Sequence, residues 1–155
     1  MKNLKAIVMG FLFTSLCASA GAQDKKIPLN EPDRSKPRLF SDLPQKMTLD
    51  LKIVQPLLAY QMGSAVNLQL TDHFLFQGQV VSRSGSSSDS VISVVVRSSN
   101  RPGSTLTLTR IIDPKGNIQF HGRIISPANG DAFEITGEKG QYMLEKKNLY
   151  DLMSE

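Results

Sequence analysis

The chain has 155 residues, with 18 Lys and Arg against 14 Asp and Glu, one cysteine, two histidines and no tryptophan. One cysteine excludes a disulfide framework within the chain and any multi-cysteine metal site. The formal charge of +4 is too small and too dispersed for the concentrated basic face that nucleic acid requires.

The first residues read MKNLKAIVMGFLFTSLCASAGAQ. Lys2 and Lys5 precede an apolar run that starts at Ala6 and ends near Leu16, and small residues follow at Ala18, Ala20 and Ala22. A basic start, a short apolar stretch and small-x-small cleavage options predict a signal peptide over residues 1–22. The apolar run falls short of the roughly 20 residues that cross a bilayer, so no membrane span is expected. Cys17 follows Leu16 where a lipoprotein signal would carry a small residue, so a lipid anchor is not expected. Localisation is then periplasmic or secreted. Without Lys2 and Lys5 the 18 basic residues become 16 against 14 acidic, a balance that points to no charged partner. Nucleic acid is not expected.

Residues 23–38 read QDKKIPLNEPDRSKPR. Prolines and alternating charge suit a flexible tether. Leu39 and Phe40 are the first residues expected to dock on a core, and a single β domain is expected over residues 39–155. From Met47 the pattern takes a period of two, the signal of a half-buried strand. Met47, Leu49, Leu51 and Ile53 fall on one side, as do Val66, Leu68 and Leu70. Phe74, Phe76, Gly78 and Val80 follow, then Ile92, Val94 and Val96, then Leu106 and Leu108. Ile118, Phe120, Gly122 and Ile124 form the next set, before Phe133 with Ile135 and Tyr142 with Leu144.

Glycine, proline and Asx residues mark turns at residues 71–73, 100–103, 113–116, 129–131 and 137–140. The serine-rich residues 82–90 read as a mobile hairpin tip. Residues 55–62 (QPLLAYQM) read as a helical turn or two with Pro56 at its start. One longer helix from Thr48 is the alternative to a strand followed by that turn. The fold class is therefore mainly β: an antiparallel meander of about eight short strands with one short helical turn. It forms a small barrel or a strongly coiled sheet, either of which blunts exposed edges.

FQGQVVS at residues 76–82 returns as FHGRIIS at residues 120–126. Each glycine falls on the inward side, two residues after a phenylalanine. A strand glycine marks a bend or a close approach, so Gly78 and Gly122 are expected to let strands coil over Phe76 and Phe120. A ligand approaching bare backbone is the other reading.

The sequence carries no HExxH, no G-x-S-x-G and no phosphate-cradling loop. No catalytic group, metal or cofactor is expected. His73 beside Asp72 reads as a chance pair in a turn. His121 shares an outward face with Gln119 and Arg123, as a solvated strand face would. Arg110 is the misfit on the inward side between Leu108 and Ile112. It either lines a pocket for an anion or sits at a strand end or bulge that turns it outward. Arg83, Arg97 and Arg101 fall near strand ends and could form a basic rim patch. Binding candidates are therefore Arg110, Gln119, His121, Arg123, Arg83, Arg97 and Arg101.

Residues 106–147 resemble the β-rich N-terminal, propeptide-like region of secreted bacterial metalloproteases. Gly122-Arg123-Ile124, Phe133-Glu134-Ile135 and Tyr142-Met143-Leu144 carry the likeness. The resemblance implies an accessory module and brings no catalytic residue, since no zinc-binding helix accompanies it. The chain as a whole is similar to small exported bacterial proteins. The expected function is an exported, non-catalytic β-module that binds a protein or envelope partner. A protease inhibitor or propeptide-like chaperone, and a small-ligand carrier using the barrel interior, are the alternatives.

Overall fold

The alternation of apolar and polar side chains becomes eight strands. They are β1 (Lys46–Leu49), β2 (Ala65–Thr71), β3 (Phe74–Ser84), β4 (Val91–Ser98), β5 (Thr105–Ile112), β6 (Ile118–Ser126), β7 (Asp131–Glu138) and β8 (Gln141–Asn148). A computed structural model describes residues 35–138 and 141–152. The expected signal peptide, most of the expected tether and residues 139–140 of the last expected turn lie outside the described residues. No helix among the described residues is long and apolar enough to cross a membrane.

All neighbouring strands are antiparallel, in the order β1-β8-β7-β6-β5-β4-β3-β2. The sheet is a meander curled into a half-barrel. Of the two expected forms, the coiled sheet is the one found. Its edges, β1 and β2, approach at one point, where the Thr71 hydroxyl donates to Met47 Sδ at 3.4 Å.

The inner face of the curl is the core. Phe74, Phe76, Val94, Val96, Leu106, Leu108, Ile124, Phe133 and Leu144 are all buried there. Phe74 and Phe133 pack at 5.7 Å between ring centroids, and Phe40 lies 6.0 and 5.3 Å from them. Tilted aromatic packing of this kind adds to simple burial.

The two repeated glycines sit within this curl for different local reasons. A Cβ on Gly78 would lie 2.1 Å from the Arg97 carbonyl oxygen, so strand β4 passes over it backbone to backbone. A Cβ on Gly122 would lie 2.5 Å from Ile135 Cδ1, so there a side chain from β7 leans across the bare position.

The polypeptide closes both ends of the half-barrel. At one end, residues 37–45 cross the mouth as a strap, with Phe40 and Leu43 buried. Lys146 Nζ donates to the carbonyls of Phe40 and Leu43, at 2.7 Å each. Arg101 donates to the Leu39 carbonyl at 2.8 Å and pairs with Asp42 at 2.6 Å. Asp131, only 3% exposed, accepts from the Phe40 backbone N–H at 2.9 Å and faces Arg38 at 3.3 Å.

At the other end lies a helical segment, Leu51–Val54 followed by a 3-10 turn Gln55–Ala59. Here the expected strand over residues 47–53 is corrected. It stops at Leu49, because the Asp50 carboxylate accepts the Lys52 N–H and starts a helix in the manner of an N-cap. Val54, Leu57 and Leu58, spaced three and four apart, then bury one helical face.

Candidate functional site: a fork between two strands

The β6–β7 ladder runs from Ser126↔Asp131 to Gly122↔Ile135 and stops. Both strands continue: β6 extends back to Ile118 and β7 on to Glu138. Their other partners stay in register, since β5 pairs with β6 as far as Ile112↔Ile118 and β8 pairs with β7 as far as Glu138↔Gln141. The sheet therefore forks. A cleft of about 380 Å³ opens there, lined by residues including Gln119, Phe120, His121, Thr136, Gly137 and Tyr142.

Which backbone groups face the cleft follows from alternation. In an antiparallel strand each residue points its N–H and C=O to one side, and the side alternates along the chain. Ile112 N–H donates to the Ser90 carbonyl on the β4 side. Counting through the β5–β6 register, Ile118, Phe120 and Gly122 of β6 point toward β7. From the other flank, Lys146 N–H donates to Gln45 on the β1 side, so Ile135 and Gly137 of β7 point toward β6. Both counts make Gly122↔Ile135 a hydrogen-bonded pair. The next such pair, Phe120 with Gly137, is missing, so the fork offers strand-edge donors and acceptors on both banks.

The floor of the fork is aromatic. A Cβ on Gly137 would lie 2.7 Å from Tyr142 Cε1, so the Tyr142 ring leans over Gly137. It meets Phe120 edge-on at 6.3 Å between centroids. Phe120 is 9% exposed, while Ile118, two residues along the same bank and face, is 55% exposed. On the outer face, Arg123 and Glu134 pair at 3.1 Å across the last rungs before the split. Gln119 and His121 are exposed on that same side.

The structure thus gathers three of the expected binding residues, Gln119, His121 and Arg123, at one place. The arginines fall elsewhere. Arg110 keeps its inward position, because the β4–β5 and β5–β6 ladders run past it without a shift. The expectation of a bulge turning it outward is corrected. Near the strand end its guanidinium reaches the hairpin tip, donating to the carbonyls of Ser87 and Asp89 at 3.3 and 2.9 Å, while its Nε is buried with no hydrogen-bond partner among the described residues.

Arg83 is carried inward by a bulge between Val80 and Ser82, which reverses the alternation of β3. It donates to the Leu58 carbonyl at 3.3 Å, at the end of the helical segment, where a cation also suits the helix dipole. Arg97 is exposed, and Arg101 grips the strap at the opposite end from Arg83. The three do not form one rim patch. Asp72 and His73 are both exposed in the β2–β3 turn.

Sequence reasoning missed Phe120, Gly137 and Tyr142 as site residues. A glycine at the inward position after Phe133 and Ile135 was the available signal. Compared with known proteins, the chain matches no family model, no curated protein and no solved structure.

Proposed function

We propose that the protein is an exported, non-catalytic β-module that binds an extended segment of an envelope or secreted protein at the β6–β7 fork. The observation that carries this reading is the early stop of the β6–β7 ladder. Unpaired strand edges are templates for another chain, and strand addition uses them for affinity while neighbouring side chains give specificity. The interior that a small-ligand carrier would use is taken up by Phe40, Phe74, Phe76 and Phe133, which favours the fork over the carrier reading.

A reversible lock tests it. In the register of the ladder, His121 and Thr136 would be the next opposed pair, with side chains outward. Cysteines at His121→Cys and Thr136→Cys, once oxidised, pin the banks at ladder spacing, a geometry a disulfide accepts. Eight-residue strand-forming peptides should shift the Phe120 and Gly137 amide resonances in the reduced form and not in the oxidised form. Equal binding in both forms would discard the fork as the site.

A propeptide-like or inhibitory role is the second reading, favoured by the position of the fork inside residues 106–147. The extended segment would then belong to a protease. Tight binding to a secreted protease that the oxidised lock abolishes would support it, and inertness against a broad protease panel would count against it.

A further inference from the structure

The side chains of the fork are specific about what an added strand should contain, and this inference rests on the strand-addition reading above. Phe120 and Ile118 stand two residues apart on one bank and face the same side. Phe120 is largely covered by Tyr142, whereas Ile118 is 55% exposed although it continues the inward row of β6. Ile118 meets Ile112 of β5 on one side, and β7 has left the ladder on the other. The intervening residue, Gln119, faces outward with His121, where Glu134 and Arg123 also lie.

A strand laid along this bank pairs its own backbone with Phe120 and Ile118. Its residues opposite those two positions point inward, and the one between them points to the polar side. We infer that the fork selects an extended peptide with two apolar residues separated by one polar residue, the pair covering Phe120 and Ile118. Adjacent apolar residues would place one of them on the outer, solvated face.

Three octapeptides on a threonine–lysine background test the pattern on the full mature chain. One carries valine and phenylalanine two positions apart, one carries them side by side, and one carries neither. Fluorescence anisotropy gives affinity, and amide resonances of Phe120 and Gly137 give location. The spaced peptide should bind about tenfold more tightly than the peptide with neither residue, the scale set by covering one exposed apolar side chain, and the adjacent peptide, with only one residue inward, should fall between them. Ile118→Asn, at an exposed position, should bring the spaced peptide down to about the affinity of the peptide with neither residue while the fork resonances still respond. Equal affinities for the spaced and adjacent peptides, with the fork resonances shifting, would overturn the pattern and leave strand addition standing. If no peptide moves those resonances, strand addition itself fails and the pattern falls with it.

Discussion

The two ends of the half-barrel are closed in different ways. At the strap end the buried Phe40 and Leu43 are held in place by charged groups that grip backbone: Lys146 and Arg101 on carbonyls, and Asp131 on the Phe40 N–H. The helical end is held by apolar side chains, Val54, Leu57 and Leu58, with Arg83 on a terminal carbonyl. Polar gripping fixes a segment that has no regular structure of its own, because each buried backbone group finds a partner. Apolar packing suits a helical segment whose Val54, Leu57 and Leu58 fall on one face. The fork opens at the helical end, where the helix fills the mouth near β2 to β5 and leaves β6 and β7 to diverge.

The sharpest way to break this comparison is to remove the aromatic plug of the strap end. Phe40→Ala deletes a fully buried ring that touches Phe74 and Phe133. It should lower stability by about 3–5 kcal/mol, read from the urea midpoint. Peptide binding at the fork should survive under native conditions. A loss of binding with the fold intact would mean that the two ends are coupled.

The two repeated glycines sharpen the comparison next. Gly78→Ala drives a methyl against the Arg97 carbonyl, a backbone atom with nowhere to go. Its effect should sit near the top of the 1–3 kcal/mol expected for overpacking, at about 3 kcal/mol. Gly122→Ala meets chiefly the tip of Ile135, which can change rotamer, with the Thr107 carbonyl oxygen further off at 3.1 Å, and should cost less, about 1–2 kcal/mol. Equal losses in thermal or urea denaturation would contradict the distinction between backbone and side-chain approach.

Much of this architecture was legible in the sequence. The inward rows of β2, β3, β4, β5 and β6 followed the period of two, and Phe40 docks as its position suggested. The boundary at Asp50 was not legible, because Leu49, Leu51 and Ile53 alternate as a strand would while Asp50 also caps a helix. Arg83 escaped because the bulge after Val80 carries no glycine or other local mark. The fork escaped for a deeper reason. Both β6 and β7 keep strand alternation past Gly122 and Ile135, so the pattern reports extended backbone but not whether two strands still pair.

Asp131→Ala separates polar gripping from aromatic plugging. It leaves the buried Phe40 N–H without its acceptor and Arg38 without its carboxylate. A loss of about 1–3 kcal/mol is expected. Faster hydrogen exchange should be confined to the strap residues near Phe40. Uniform acceleration across the sheet would show that the strap is part of the cooperative core rather than a closure added to it.

The smallest expected effect is a dependence on acid. The hydrogen-bonded Arg101 guanidinium holds the Asp42 carboxyl below its ordinary value. The Ser86 backbone N–H does the same for Asp89, and the Asn117 side chain for Asp113. A carboxyl whose folded value is depressed stabilises the fold above its unfolded value, about pH 4, and that contribution fades as pH falls through the lower folded value. The protein should therefore hold its stability from neutrality to about pH 5 and lose part of it below about pH 4. Because Asp42 is largely exposed, solvent screens its share and the change should be modest. Asp42→Asn should flatten part of the acid limb in urea melts and should loosen the strap rather than the helical end. An acid limb unchanged by Asp42→Asn would place the sensitivity in the turns of Asp89 and Asp113, and would remove Asp42 from the set of charges that hold the strap.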